Sequence, residues 1–403
     1  MGMGGERPGK RELVEADRPG FPVIRLDFTP PPLSPPHKGE ESPRLFSFRS
    51  GIMKVGKGIA GAKPTMRERS GTARPRMADV ARIAGVSTAT VSRALRQPEL
   101  VSPEVRGKIA AAVDHLSYRP NLMAGALASA RSKTIGVIIP SMINAFFSVT
   151  LEAIEEGLAG AGYQLLIGNS HYELETEERL IASMLAWSPA ALVITGCRHS
   201  RGAMRALLDT DVPIVEMWEL TDNPIDTAIG FSQRDIGVAV ARHFKERGAR
   251  RLGFVGAMHQ RDYRADSRRA GFFETALSIG YEAPAEVQLP GLPTSVRGAK
   301  AFAELMAGHP DVDAVLCTND IVALGALFEA QRLGWSVPDR LKICGVGDVD
   351  FAAACEPGLS TVSLPRRAIG LKIAEVLRER IAGSLPTGGV HDLGFELVRR
   401  GST

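Results

Sequence analysis

The chain has 403 residues, of which 44% are hydrophobic and 23% charged, with a formal net charge of +4. This length predicts two or three folded units. The sequence contains no run of about 18 apolar residues, so no membrane span is predicted. The four cysteines form no C-x-x-C pair, which argues against a disulfide framework or a zinc cluster. The first residues lack the apolar segment of a secretory signal, so we expect a cytoplasmic protein with no membrane partner.

Charge is distributed unevenly along the chain. Residues 1–76 carry +7, residues 77–135 carry +4, and residues 136–403 carry −7. A basic front end on an acidic body favours a polyanion-binding module joined to a body that binds no polyanion. Basic tails are also often merely solvated, so composition leaves both interpretations open.

Residues 1–76 contain 11 of the 26 prolines and show no helical or strand period. We therefore predict a disordered, basic, proline-rich extension. The alternative is that this segment is not part of the natural protein, with Met66 or Met77 as the expected start.

Residues 77–120 show the pattern of a small helical unit. Small and apolar residues recur from Ala78 to Ala84, and Gly85 follows as a turn. Ser87 is a good N-cap for a second helix, and Ser102 with Pro103 begins a third. Three short helices with a glycine turn between the first two predict an all-α helix-turn-helix headpiece.

Residues 121–133 read as a short Ala/Leu-rich helix and a basic linker, and residues 134–403 alternate strands with helices. This alternation predicts parallel sheets built from βαβ units, and seven strands over this length favour two lobes with a cleft between them. The predicted strands are Ile135–Pro140, Gln164–Gly168, Ala191–Thr195, Val212–Met217, Leu252–Gly256, Ala314–Thr318 and Leu341–Val346. The predicted helices include Glu152–Ala161, Glu177–Trp187, Ile236–Arg247, Arg268–Ile279 and Ile321–Leu333.

The second headpiece helix has the chemistry of a DNA-reading helix. Its first turns carry short polar residues, Ala89 can touch a thymine methyl group, and Arg93 can pair with guanine. An ordinary capped surface helix is the alternative for these residues taken alone.

The segment from Met77 to Ser129 resembles the headpiece of the lactose-repressor (LacI) family. The likeness includes V-S-R, V-S-x-x-x-R and Y-x-P-N in order, and it continues through the body, omitting only residues 1–76. The segments ERLIASMLAWSPAALVIT, CTNDIVALGALFEAQRLGWSVPD and HDLGFELVRRGS are most similar to gluconate-responsive members of that family. The resemblance implies a periplasmic-binding-protein-like core, with lobe 1 at about 134–232 and 366–392 and lobe 2 at about 233–365 and 393–403.

The resemblance also implies the DNA-binding residues. Asn121 opens a hinge helix, and Leu127 matches a leucine that wedges into the minor groove, a role that the physics of unstacking supports. Dimer packing is the alternative for Leu127. The full implied set is Thr88, Ala89, Thr90, Ser92, Arg93, Asn121, Ala124 and Leu127.

For the effector cleft, the resemblance implies contacts on loops that follow strands in both lobes. A sugar acid needs a cation for its carboxylate, and Arg268 would supply it. Each of these residues also has a purely structural alternative. Phe146 and Phe147 could be core residues, Asp320 a helix N-cap, and Arg268 a member of a surface ion pair. Many sugar-binding family members have two consecutive acidic residues after the last strand of the second lobe. Here the segment is Gly345-Val346-Gly347-Asp348, so the first acid is absent and a ligand contact at this position is in doubt. The implied set is Ser141, Phe146, Phe147, Trp218, Glu219, Arg268, Asn319, Asp320 and Asp348.

We therefore predict a LacI-type transcriptional regulator, expected to be a repressor of sugar-acid catabolism. It would bind operator DNA as a homodimer under the control of an effector such as gluconate. No catalytic motif, metal site or cofactor is predicted; Cys197-Arg198-His199 is too short and isolated for a metal or nucleophile site. The rival, a two-lobed solute-binding protein for sugars, is disfavoured by the headpiece and by the missing signal peptide.

Overall fold

The structure is a computed structural model that describes residues 75–119, 132–143, 145–257, 261–384 and 389–403. Nearly all of the predicted extension and of the hinge region lies outside these ranges, as do the candidate residues Asn121, Ala124 and Leu127. None of the helices within them is both long and apolar enough to cross a bilayer.

Three helices form the headpiece, namely α1 (Met77–Ala84), α2 (Thr88–Arg96) and α3 (Pro103–Leu116). Val80, Val91 and Ile109, one from each helix, are buried together in a small core. Ser87 caps α2 by accepting a hydrogen bond from the Thr90 N–H at 3.1 Å. The helix-turn-helix prediction is confirmed.

The first sheet of the body has the strand order β11-β5-β4-β3-β1-β2, and its paired strands are parallel. Its central strand β3 is buried at every position because helices cover both faces. The strands are β1 (Thr134–Ile139), β2 (Gln164–Asn169), β3 (Ala191–Thr195), β4 (Ile214–Met217), β5 (Thr227–Gly230) and β11 (Gly389–Asp392).

The second sheet has the order β12-β10-β9-β8-β6-β7, and only the β10–β12 pair is antiparallel among its described pairs. The two sheets confirm the predicted two-lobed α/β core. The strands are β6 (Leu252–Ala257), β7 (Ala285–Leu289), β8 (Ala314–Cys317), β9 (Lys342–Gly347), β10 (Ser360–Ser363) and β12 (Glu396–Val398).

Nine helices of the described body connect and cover these strands. They are α4 (Ala145–Leu158), α5 (Leu174–Ala186), α6 (Arg201–Leu208), α7 (Gln233–Glu246), α8 (Tyr263–Ser278), α9 (Ser295–Gly308), α10 (Asp320–Arg332), α11 (Asp350–Ala354) and α12 (Arg366–Ala382). Helix α12 packs on α4, α7 on α8, and α9 on α10.

Five strands were missed by the sequence prediction, namely β5, β7, β10, β11 and β12. Each has only three to five residues, and several carry Thr, Ser, Glu or Gln, so no apolar run marks them. All five predicted helices begin earlier than predicted, and the differences are largest for α4 and α8. Helix α4 begins at Ala145 rather than Glu152 because its first turns are apolar, and α8 begins at Tyr263 rather than Arg268 because its first turns are polar.

The chain passes between the two sheets three times within the described residues. The crossings lie between β5 and α7, between β10 and α12, and between β11 and β12. At the first and third crossings the strands are neighbours, and the Leu393 N–H donates to the Gly230 carbonyl at 2.8 Å. The crossings therefore lie at adjoining edges of the sheets.

Helices α7 and α8 touch backbone to backbone through two glycines. A Cβ on Gly237 would lie 2.0 Å from the Arg268 carbonyl oxygen, and one on Gly271 would lie 2.1 Å from the Arg234 carbonyl oxygen. Only glycine permits this approach. It brings the first turn of α7 beside the middle of α8, where Arg268 lies.

Candidate DNA-binding surface and effector cleft

The predicted recognition helix exposes the residues expected to read DNA. Val91 packs into the headpiece core, which leaves Thr88, Ala89 and Arg93 exposed on the rest of α2. Thr90 and Ser92 are half-buried. These exposed side chains at the start of the helix are available to base edges.

Arg96 is a cation on this helix that the sequence prediction missed. Its Nε donates to the Ser92 Oγ at 3.1 Å, one turn earlier along α2. Ser92 therefore holds Arg96, and the pair presents a charged group beside Arg93. A search for basic residues four positions after a polar one would have found it.

A cleft lies between the lobes. Both lobes contribute side chains to its wall. The lining includes Phe146, Phe147, Tyr172, Trp218, Gln233, Asp262, Arg264, Arg268, Thr318 and Asn319.

Aromatic rings form the wall of the cleft in the first lobe. The Trp218 ring centroid lies 5.1 Å from that of Phe147 and 6.4 Å from that of Phe146. All three side chains are also part of the buried core, so the same rings pack in the core and line the cleft. Such a wall suits the C–H faces of a carbohydrate.

Two arginines one turn apart on α8 supply positive charge to the cleft. Arg264 Nη1 donates to the Thr195 carbonyl of the first lobe at 3.3 Å, and its Nε lies 3.3 Å from Asp262 Oδ1. Arg264 therefore links the lobes, and the Asp262 carboxylate balances part of its charge. Arg264 was not among the predicted site residues, although its spacing of four from Arg268 places both on one helix face.

Arg268 has no carboxylate partner among the described residues. Its Nη1 donates to Gln233 Oε1 at 2.5 Å and its Nη2 to the Thr318 carbonyl at 3.4 Å, while Nε is buried with no hydrogen-bond partner there. Burial lowers the pKa of Arg268; Asp262 opposes this effect and the Arg264 charge adds to it. The structure does not show the surface ion pair considered as an alternative. A buried cation with an open donor is suited to an anion.

Asn319 and Asp320 begin α10 but have different environments. Asn319 is the N-cap, since its Oδ1 accepts from the Val322 N–H at 3.0 Å, and it also lines the cleft. Asp320 is fully buried and accepts from the Val349 N–H at 2.9 Å and the Thr361 hydroxyl at 2.5 Å. Burial raises its pKa to about 6. Asp320 therefore links the start of α10 to Val349 and Thr361 in the second lobe. The N-cap of α10 is Asn319 and not Asp320.

Three further predicted residues lie away from the lining of this cleft. Asp348 Oδ1 pairs with Arg400 Nη2 at 2.7 Å, and Glu219 Oε2 accepts from the Cys197 N–H at 3.1 Å. Burial raises the pKa of Glu219, and the positive charge of Arg264 opposes this rise. Ser141 lines an adjoining pocket instead. Of the nine predicted effector residues, the cleft therefore brings together Phe146, Phe147, Trp218, Arg268 and Asn319.

A buried charge cluster, formed by His199, Glu177 and Glu216, supports the loop after β3. His199 Nδ1 lies 2.6 Å from Glu177 Oε1, and Nε2 lies 3.5 Å from Glu216 Oε1. Burial alone lowers the pKa of His199, but the hydrogen bonds and charges of both glutamates outweigh it and raise the pKa to about 9. The same loop meets α8, where the Arg198 N–H donates to the Tyr263 hydroxyl at 3.4 Å.

Within the described ranges, no group of three or more His, Cys, Asp or Glu side chains is arranged to hold a metal ion. The chemistry that the described site residues offer is binding through charge, hydrogen bonds and aromatic faces. This chemistry suits recognition of a small polar anion.

Comparison with protein-family models gives two matches. Residues 76–121 match the bacterial regulatory proteins of the lacI family, and residues 241–403 match a periplasmic binding protein-like domain. The first match covers the three-helix headpiece, and the second covers much of the body.

Individual relatives extend the likeness over most of the chain. The transcriptional regulator GntR of Pseudomonas aeruginosa is 40% identical over 333 residues, which cover 82% of this chain and 96% of the relative. A crystal structure of a LacI-family regulator from Silicibacter pomeroyi superposes with a TM-score of 0.77 at 31% identity, covering 81% of this chain and 99% of that one. GntR from Chromobacterium violaceum gives a TM-score of 0.64 at 40% identity, covering 67% and 98%.

These relatives are named as transcriptional regulators, and the likeness to the first two extends over 82% and 81% of the chain. The prediction of a DNA-binding regulator is confirmed. On this identity and coverage, the chain belongs to the LacI family of bacterial regulatory proteins.

Proposed function

We propose that this regulator binds an operator as a homodimer and that a sugar acid such as gluconate, bound in the cleft, controls this binding. The observation that carries the proposal is the buried guanidinium of Arg268, which has no carboxylate partner among the described residues and an open Nε donor. The resemblance to gluconate-responsive family members agrees with an acidic effector.

The groups around Arg268 suit the remainder of a sugar acid. A carboxylate on Arg268 would form a charge-assisted hydrogen bond, which is stronger than a neutral one. Asn319 and Asp262 offer donors and acceptors for hydroxyls, and the rings of Trp218 and Phe146 can pack on C–H faces. The cleft therefore offers complementary groups for an acid end and a polyol chain.

DNA recognition is assigned to α2. Arg93 and Ala89 would contact base edges in the major groove, and Leu127 would enter the minor groove at the operator centre. A two-fold symmetric dimer matches a near-palindromic operator. Because the cleft lies between lobes, an effector that prefers one lobe arrangement shifts the population of that arrangement and thereby the affinity for DNA.

The rival, a sugar-binding protein without a DNA function, accounts for the body alone. A match to a periplasmic binding protein-like domain covers residues 241–403, but the helix-turn-helix at residues 76–121 has its own family match. A regulator without catalytic activity accounts for both parts. A DNA-binding regulator acts beside the chromosome, so we place it in the cytoplasm.

Calorimetric titration with gluconate, 6-phosphogluconate and glucose tests the effector. Arg268→Ala should weaken gluconate binding by about 2–5 kcal/mol because the ligand carboxylate is left unpaired, and Arg268→Lys should weaken it less. Arg269→Ala is the matched control, since Arg269 is the next residue of α8 and donates from Nε to Glu286 Oε1 at 2.6 Å. Equal binding of glucose and gluconate, or normal binding by Arg268→Ala, would show that the sugar-acid assignment is wrong.

A further inference from the structure

Gln233 is a buried amide at the first turn of α7, where the chain has just crossed from the first sheet. Only 4% of the residue is exposed. Its Nε2 donates to the Trp218 carbonyl at 2.8 Å, and its Oε1 accepts from Arg268 Nη1 at 2.5 Å. A carbonyl can only accept and a guanidinium can only donate, so the orientation of this amide is fixed at both ends.

The two groups that Gln233 holds come from different lobes. Trp218 follows β4 of the first sheet, and Arg268 lies on α8, which covers the second. Trp218 has a φ of 73°, in the left-handed region that side chains other than glycine rarely adopt. A residue in this conformation persists when its surroundings hold it, and the hydrogen bond from Gln233 to its carbonyl does so.

Both groups carry a donor that makes no hydrogen bond to a described residue. The indole Nε1 of Trp218 and the Nε of Arg268 are buried without a hydrogen-bond partner among the described residues. Both side chains also line the cleft. Unpaired buried donors are costly unless a ligand satisfies them, so their fixed placement is the property that a binding site needs.

We propose that Gln233 is a positioning residue for effector recognition: its amide sets the Trp218 backbone and the Arg268 guanidinium so that the indole and Nε donors from the two lobes meet the same anionic ligand. This inference rests on the proposed function for its ligand. It adds a residue that neither the sequence pattern nor the acidic and basic side chains of the cleft indicated.

The contacts also explain why another side chain would not serve. Glutamate at position 233 would pair with Arg268 and compete with the carboxylate of the ligand, and its charge would repel the Trp218 carbonyl. Leucine has a similar volume but removes both hydrogen bonds. Ligand affinity should therefore depend on the amide itself and not only on filling the space.

The first experiment measures gluconate and glucitol binding by calorimetry with the full chain. Gln233→Leu should weaken gluconate binding about tenfold or more, the scale of one lost hydrogen bond to a charged group. Gln233→Glu should weaken gluconate binding further, while the affinity for glucitol, which has no carboxylate, falls less. Gln331→Leu is the matched control, because Gln331 also donates to a backbone carbonyl, that of Glu356, but on the exposed side of α10.

The gluconate-to-glucitol affinity ratio separates positioning from general loss of structure. Partial unfolding would weaken both ligands alike and lower the melting temperature, whereas positioning of Arg268 changes the ratio. An unchanged ratio in Gln233→Glu, or binding within twofold of wild type in Gln233→Leu, would overturn the inference.

A second readout needs no ligand. With Trp187 and Trp335 replaced by Phe, Trp218 is the one tryptophan left in the sequence. Gln233→Leu should then shift the tryptophan emission and alter the near-ultraviolet circular dichroism, because the Trp218 carbonyl loses its hydrogen bond from Gln233. If wild type binds no gluconate, the effector assignment fails, and this measurement still tests whether Gln233 positions Trp218; spectra identical with and without Gln233 would refute that positioning.

Discussion

The buried charge cluster of His199, Glu177 and Glu216 makes stability depend on pH in a window that the structure defines. The pKa of His199 is raised from 6.5 to about 9, so the folded chain retains a proton that the unfolded chain releases. The resulting stabilisation is fully present below about pH 6.5 and is lost as the pH rises through about 9.

The size of the effect follows from the two pKa values. The gap between 6.5 and about 9 corresponds to roughly 3 kcal/mol of unfolding free energy, at about 1.4 kcal/mol per pH unit. The His199 side chain is fully buried and those of both glutamates nearly so, so solvent screens the interaction little. A loss of this size is a large part of the stability of an ordinary domain.

Urea unfolding of wild type and His199→Gln at pH 6.5, 7.5, 8.5 and 9.5 measures it. Wild type should lose free energy of unfolding across this series, and the variant should lack that component. At pH 6.5 the variant should also be less stable, because Glu177 and Glu216 lose their cationic partner. His309→Gln, at an exposed position on the same body, is the control.

The other titratable groups with shifted pKa values do not produce the same difference between wild type and variant. His243 has a pKa lowered to about 4, chiefly by burial, so its stabilisation is present above about pH 6.5 and is lost as the pH falls from 6.5 through about 4, outside the alkaline part of this series. Burial also raises the pKa values of Cys197 and Tyr263, which affect alkaline stability in both proteins. The difference between wild type and variant therefore isolates His199. Parallel curves for the two proteins would refute the assignment of the proton.

Four further predictions concern packing and DNA binding. Gly271→Ala should lower the free energy of unfolding by at least about 2 kcal/mol, measured by urea unfolding, because its Cβ would lie 2.1 Å from the Arg234 carbonyl oxygen; an unchanged value would mean that α7 and α8 can separate freely. Arg93→Ala should cost about 1–3 kcal/mol of operator affinity in a fluorescence-anisotropy titration and relax preference at one base position, whereas equal weakening on random DNA would indicate a phosphate contact. Deletion of residues 1–65 should leave operator affinity at physiological salt unchanged, and a large fall would contradict the interpretation of that segment as disordered. Leu127→Ala should weaken operator binding while the body binds effector normally, and unaltered operator affinity would exclude the wedge.

The fold was largely predictable because its signals are local. Caps such as Ser87 and apolar strands such as Ala191–Thr195 are recognisable within a few residues. The missed strands were not recognisable in this way, since Ser360–Ser363 becomes a strand only through pairing with β9 and β12. Short polar segments acquire their structure from partners that are distant in sequence.

The site was less predictable because its decisive contacts join distant segments. Arg268 was found through a resemblance, but its partner Gln233 carries no local mark of function. Asp320 and Asp348 lie at strand ends as expected, yet a sequence does not show whether a carboxylate turns toward a cleft or toward a buried hydroxyl or arginine. The sequence therefore predicted the charge of these side chains and their position at strand ends or on a helix, but not the direction in which each side chain points.

The three chain crossings between the sheets have a mechanical consequence. With connections between β5 and α7, between β10 and α12, and between β11 and β12, rotation about a single backbone bond cannot turn one lobe against the other. Bending about a line through the adjoining crossings remains possible, because each connection then changes by a small angle. A protease that cuts one crossing should leave the lobes joined by the other two, so nicked protein should migrate intact in a native gel and separate into fragments only after denaturation.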